Sequence, residues 1–231
     1  MHVYDLGARR EAELVVASRR FLDLDGNVLV WQEYRGTTWG IYGQDLVTGR
    51  PFTVTTQSAS YPKVAGQWVA YVVRAATAPE DLASELHMFN RRTGEDSVLG
   101  LVSSSVDGGG FAIDGNSLAW VKVSLGAESA QPSVYELHVY DMIAGQDRQV
   151  NIGSNAYLTN LHLSDDLLLY LQHGWQAADL RRNITFEVFP PSAGLDMLSE
   201  LVVFGNRLVW SETDRIVGVT RLYTSHIDRG Q

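Results

Sequence analysis

Four side chains of the kinds that move protons stand at related points of this chain: Asp23, Lys63, His162 and Glu200. Asp23, Lys63 and His162 each lie three residues ahead of a turn residue (Gly26, Gly66 or Asp165), and Glu200 lies five ahead of Gly205. Two carboxylates facing each other across a cleft, about 5–10 Å apart, are the equipment of glycoside hydrolysis. An imidazole beside them can carry a proton. The same groups can equally do no more than satisfy one another, which is the ordinary fate of buried polar side chains. A second set is suited to recognition. His173, Trp175, Arg181 and Arg182 share one short segment, and Glu33, Tyr34, Arg35 and Trp39 share another. Exposed Trp and Tyr beside Arg stack on sugar faces or anchor protein partners. Trp175 suits packing as well as it suits binding, and Trp39 reads better as packing.

A phrase that recurs five times positions these residues. Asp25-Gly26-Asn27-Val28-Leu29-Val30-Trp31 returns, with substitutions, at 65–71, 114–120, 164–170 and 204–210. Its closing aromatics, Trp31, Tyr71, Trp120, Tyr170 and Trp210, lie 40, 49, 50 and 40 residues apart. A period of this size marks one supersecondary unit used repeatedly. Each copy divides into four strands. In the second copy these are 61–64, 68–73, 85–89 and 96–99, with Gly66-Gln67 as the first turn and Asn90 to Gly94 as the second. Gly and Asp-Gly-Asn between apolar runs predict tight hairpins, because such residues accept positive φ cheaply. The second strands are apolar on both faces, as in Leu167-Leu168-Leu169-Tyr170-Leu171, so each sheet is expected to lie between two others.

The predicted fold is therefore all-β: a β-propeller of five four-stranded blades in a single domain spanning 1–231. The blades cover about 20–56, 60–100, 109–152, 158–198 and 200–228, the last completed by residues 1–16. The ends do not match simply. Residues 1–6 read as a third strand, 11–16 as a fourth and 221–227 as another third strand, so there are five first-and-second pairs but six third strands. The expectation is that the N-terminal strands close the last blade. The alternative is a piece of a larger six- or seven-bladed ring.

The pattern Pro-x-Val-x-Gly-x-x-Val-Ala-Tyr from Pro62, with Leu-His-Val-Tyr-Asp-x-x-x-Gly over 137–145, resembles the propeller repeats of bacterial and archaeal cell-surface proteins. Those are relatives of the TolB-like and WD40-like propellers. The resemblance implies the fold. It does not carry over a role, because the Trp-Asp ending of WD40 repeats and the Ser-Pro-Asp-Gly phrase of TolB repeats are both missing.

Within such a ring, what recurs is scaffolding and what breaks the repeat is a candidate. His2, His87 and His138 occupy one repeat slot on different blades, so they cannot converge on one metal ion. The slot three before the turn holds Asp23, Lys63, Ala112, His162 and Val202; the slot five before holds Phe21, Tyr61, Gly110, Asn160 and Glu200. Strand alternation predicts that both slots face one way, so Asp23, Lys63, Tyr61, Asn160, His162 and Glu200 are expected to line a polar channel. Trp175 and Arg35 are candidates on the loops between second and third strands, where the segments 74–84 and 124–134 are long.

Composition narrows the partners. With 27 acidic and 18 basic residues the net charge is −9, and no dense basic face is visible to exchange counterions with nucleic acid. There are no cysteines, hence no disulfides and no thiolate metal site. No apolar run approaches the ~18 residues of a membrane span, and residues 1–20 do not read as a secretory leader. No nucleophile, phosphate-loop or cofactor motif is present. The expected function is a non-catalytic module presenting a loop-rich face to a protein or carbohydrate partner, extracellular or at a cell surface if it belongs to a longer secreted chain and otherwise in the cytoplasm. The alternatives are a carbohydrate-active enzyme, hydrolase or lyase, at the channel mouth, and a structural spacer.

Overall fold

The computed structural model describes residues 2–5, 7–13, 19–74, 83–103, 110–125, 132–152, 158–172, 174–189, 198–214 and 219–227. Every strand pairing among them is antiparallel. A short hairpin comes first, β1 (His2–Asp5) with β2 (Arg10–Glu13). The first four-stranded sheet follows in chain order: β3 (Arg19–Asp25), β4 (Val28–Arg35), β5 (Thr38–Asp45) and β6 (Pro51–Thr55). The second is β7 (Ala59–Ala65), β8 (Trp68–Arg74), β9 (Ala83–Asn90) and β10 (Asp96–Ser103). The third is β11 (Phe111–Asp114), β12 (Ser117–Leu125), β13 (Pro132–Asp141) and β14 (Gln146–Val150), joined to the second by the pairing of Val102 with Lys122. The fourth is β15 (Thr159–Ser164), β16 (Leu167–Leu171), β17 (Trp175–Asp179) and β18 (Ile184–Phe189). The fifth has three strands, β19 (Leu198–Phe204), β20 (Arg207–Asp214) and β21 (Val219–His226).

The turn chemistry explains the regularity. Gly26, Gly66, Gly115, Asp165 and Gly205 hold one position with φ between 52 and 59°, the left-handed region that two-residue hairpins require. Asp fills that position in the fourth sheet because its short polar side chain tolerates it. The second turns are closed by side chains. Asp45 Oδ1 accepts from the amides of Val47 (3.1 Å) and Thr48 (2.8 Å), and Asp141 Oδ1 from those of Ile143 (2.8 Å) and Ala144 (2.9 Å). These bonds favour the charged form and hold both carboxyls below the usual range.

The core lies between sheets. Leu118 and Trp120 pack on Ala70, Val72, Leu86 and Met88 of the sheet before. Leu168 and Tyr170 pack on Ala119, Val121, Leu137 and Val139. Leu208 and Trp210 pack on Leu167, Leu169 and Ala177. The first strands neighbour one another in the order β3, β7, β11, β15, β19. The recurring aromatics Trp31, Tyr71, Trp120 and Tyr170 are buried core residues, as the repeat predicts.

The closure differs from expectation. β1–β2 does not complete the fifth sheet but forms a two-stranded sheet of its own, and no sheet closes on itself among the described residues. The reason is that β21 already holds the third place. Its Tyr223 stacks on Trp210 (5.5 Å between ring centroids) just as His87 of β9 stacks on Tyr71 (5.1 Å). The N-terminal hairpin lies instead against the first sheet, where Val3 packs on Leu29, Trp31 and Tyr42.

Candidate functional site

The site is built on the first strands, and four of the five carry an irregularity that plain alternation does not foresee. Register shifts fall between Arg20 and Leu22, Ser60 and Lys63, Thr159 and His162, and Leu198 and Glu200. Phe21 (φ 39°), Tyr61 (52°) and Asn160 (51°) sit in the left-handed region at these bulges, and Gly110 (70°) sits there just before β11. This corrects one expectation. The slot five before the turn does not share a face with the slot three before it through simple alternation, because the extra residue breaks the two-residue period.

The slot three before the turn does bring groups together. The Lys63 ammonium acts electrostatically on both the Asp23 carboxyl and the His162 imidazole. Yet Asp23 and Lys63 are engaged with backbone across sheet boundaries. Asp23 Oδ2 accepts from the Val64 amide at 2.7 Å, and Lys63 Nζ donates to the Phe111 carbonyl at 2.6 Å. Burial pushes the Asp23 carboxyl up, opposed by the Val64 amide and by Lys63. Burial pushes the Lys63 ammonium down, opposed by Asp23. Burial, reinforced by Lys63, takes His162 down to about 4, so its imidazole is neutral at pH 7. The side chain of Glu200 lies outside the described residues, although its backbone pairs with Ser211 in β19.

The bonds of Asp23 and Lys63 belong to a wider set of staples between sheets. Asp25 Oδ2 accepts from the Gly66 amide (2.7 Å), Asp114 Oδ2 from the Asp165 amide (2.5 Å), and Ser164 Oγ from the Gly205 amide (2.8 Å). In each case the residue just before one sheet's turn holds the turn amide of the next sheet. Sequence reasoning assigned these residues to their own hairpins. The signal was present in the alternation of Asp, Asp and Ser at that place with Ala65 and Phe204, which cannot accept.

The histidine slot is structural. His87 Nδ1 meets Asp96 Oδ2 at 2.9 Å between β9 and β10, and His138 Nδ1 meets Asp147 Oδ2 at 2.7 Å between β13 and β14. Among the described residues no three His, Asp or Glu side chains gather as a metal-binding group.

The loop candidates separate. Trp175 is buried among Leu167, Leu169 and Leu201, so it packs. His173 lies outside the described residues, as do residues 75–82 and 126–131 of the long loops. Arg35 stands at an exposed end of the first sheet, bonded to Glu33 at 2.7 Å with its guanidinium 3.6 Å from the Tyr42 ring centroid. It shares one face of that sheet with Trp31 and Tyr42, whereas a ledge of rings and a cation stands on the opposite face, toward the second sheet, where Gln32 bonds the Ala59 carbonyl. Tyr34 and Trp39 lie 5.3 Å apart, and Arg20 stands 4.9 Å over Trp39. Adjoining them, Phe21 and Tyr61 meet at 4.2 Å across the boundary of sheets one and two. Phe21 and Tyr34 are exposed. Tyr61 and Arg35 were legible as candidates, but only Tyr61 belongs to the ledge; the bulge places Phe21 against it.

No protein-family model matches this chain, and no curated protein matches it. Its likeness is to solved structures. The chain is similar over 99% of its length to 74% of the β-propeller domain of the trilobed protease from Pyrococcus furiosus, with a TM-score of 0.68 and 8% identity. It is similar over 99% of its length to 41% of Pyrococcus horikoshii acylaminoacyl peptidase, with a TM-score of 0.67 and 10% identity, and so spans less than half of that chain. It is similar over 97% of its length to 59% of TolB from Acinetobacter baumannii, with a TM-score of 0.56 and 14% identity. The chain is an all-β protein of the β-propeller fold, with TolB among its structural relatives.

Proposed function

We propose that this chain is a non-catalytic binding module, one domain over 1–231, whose ledge on the first and second sheets receives a protein partner. One observation carries the reading: the Phe21 and Tyr61 rings meet at 4.2 Å across the boundary of the first two sheets, and Phe21 is exposed. Beside them, Arg20 on Trp39 and exposed Tyr34 supply the aromatic and Arg composition that dominates protein-binding hot spots. In this reading Asp23 and Lys63 are struts that set the spacing of the sheets. The ring is read as five first-and-second strand pairs with an additional outer half at β1–β2.

A peptide-display selection against the immobilised protein tests the proposal. Selected peptides are expected to lose binding on a Phe21→Ser/Tyr34→Ser variant and to keep it on Val47→Asp, which alters an exposed turn elsewhere. Peptides indifferent to the ledge variant would defeat the reading, and a glycan array positive at the ledge would replace protein with carbohydrate.

The convergence of Asp23, Lys63 and His162 favours one second reading, an enzyme acting on carbohydrate at the axis. Turnover in a hydrolase and lyase screen that is lost in Asp23→Asn and in His162→Gln supports it.

A further inference from the structure

The packing pattern stops at one boundary, between the fifth sheet and the first. In the first strands, the residues four and two places before the turn face the preceding sheet, and Pro62, Val64, Leu161 and Leu163 are buried in those places. Leu22 and Leu24 hold the same places in β3 and are 56% and 48% exposed. The residues three and one places before the turn face the following sheet, as the Asp23, Asp25, Asp114 and Ser164 staples show. In β19 those places hold Val202 and Phe204, 48% and 81% exposed. The inner strands at both ends of the series are therefore bare and apolar, where packed sheets would remove such area from water.

The hairpin β1–β2 says what fits at this boundary. It repeats the outer half of a sheet in register. His2 meets Glu11, which stands opposite Tyr4; His87 meets Asp96, opposite Phe89; His138 meets Asp147, opposite Tyr140. In the second and third sheets the His lies on the closing aromatic of the second strand, Tyr71 or Trp120. His2 is exposed, and β1 pairs only with β2 among the described residues. β1–β2 thus stands as third and fourth strands beside an open place for first and second strands.

We infer that a β-hairpin of a partner polypeptide docks at this boundary. Its second strand adds to the free edge of β1, and its first strand lies between β19 and β3 over Leu22, Leu24, Val202 and Phe204. The occupant has the repeat's own chemistry: two apolar strands joined by a Gly turn, with an aromatic level with His2. Main-chain pairing supplies affinity and the apolar walls supply area, the mode of β-strand addition. A second copy of this chain is a poor occupant. Each of its own five hairpins of this kind is paired within a sheet, and a net charge of −9 makes copies repel. This site shares β3 with the ledge but uses Leu22 and Leu24 rather than Arg20 and Phe21, so substitutions at one set or the other tell the two readings apart.

The probe is a synthetic peptide copying residues 59–74, the β7–β8 hairpin with Gly66 and Tyr71, added to the intact chain. Saturable binding by fluorescence anisotropy is expected. Hydrogen exchange of the β1 amides should slow by about tenfold or more, and the His2 ring resonances should shift under the Tyr71 ring current. A Leu24→Asp/Phe204→Asp variant should not bind the peptide, whereas Phe21→Ser and Val47→Asp should bind it like the parent. The inference is overturned by absence of binding, by equal binding of a scrambled peptide, or by binding that survives in the Leu24/Phe204 variant. Sedimentation showing a dimer with β1 already protected would overturn it in favour of a second copy.

Discussion

A single carboxylate in this protein acts across a boundary rather than within its own hairpin. Asp114 is half-buried and holds the Asp165 amide, while Asp25 is exposed and holds the Gly66 amide. Hydrogen bonds to charged groups contribute about 1.5–3 kcal/mol when sheltered and less when solvent competes. Both bonds are exposed, so Asp114→Ala and Asp25→Ala are each expected to lower the unfolding free energy by about 0.5–1 kcal/mol, measured by urea denaturation. His162 offers a pH test. Its folded value of about 4 lies below the unfolded value near 6.5, so between them the unfolded chain binds a proton that the folded chain does not. Its contribution is full above pH 6.5 and is lost as pH falls toward 4. Denaturation midpoints should decline through that window, and His162→Gln should flatten the decline. Asp23, raised by burial, works in the opposite direction: its contribution is full at low pH and is lost as pH rises through its folded value.

At the scale of the strand, the bulge is the feature with most consequence. It turns Phe21 and Tyr61 toward each other and leaves Asn160 in the same left-handed conformation in the fourth sheet. Glycine enters that region freely, whereas β-branched residues meet a penalty of roughly 1–2 kcal/mol. Asn160→Gly should leave the melting temperature nearly unchanged, and Asn160→Val should lower it. Close packing gives a second test. A Cβ on Gly100 of β10 would stand 2.6 Å from the Trp120 ring, which is buried between sheets two and three. Gly100→Ala must displace that ring and is expected to cost about 1–3 kcal/mol, with a change in near-ultraviolet circular dichroism that a surface substitution would not give. The turns were the most legible elements, because Gly66 or Asp141 states its conformation locally. The bulges were not, because Phe21 and Tyr61 carry no local preference for positive φ and are held there by the strands on either side.

Over the whole molecule, five sheets pack in series, with β1–β2 against the outer part of the first, and the innermost strands at the two ends, β3 and β19, are bare. Leu22, Leu24, Val202 and Phe204 lie in the water that a further sheet would exclude. Phe204→Ser should therefore leave stability within about 0.5 kcal/mol of the parent while reducing the fluorescence of a bound hydrophobic dye. A loss of several degrees in melting temperature would mean that those ends are covered in solution. The exposure of Leu22 beside the burial of Leu161, its counterpart in the fourth sheet, is invisible in sequence because both strands read alike. The repeat, the strand order and the core role of Trp31, Tyr71, Trp120 and Tyr170 were determined by sequence alone, since each follows from contacts within about fifty residues and from a period that names its own unit. Which carboxylates bridge sheets, which rings meet at the ledge and where the series stops were decided only by the tertiary structure. Those depend on what stands beside a strand in space, and a strand's own residues do not record whether its neighbour is present.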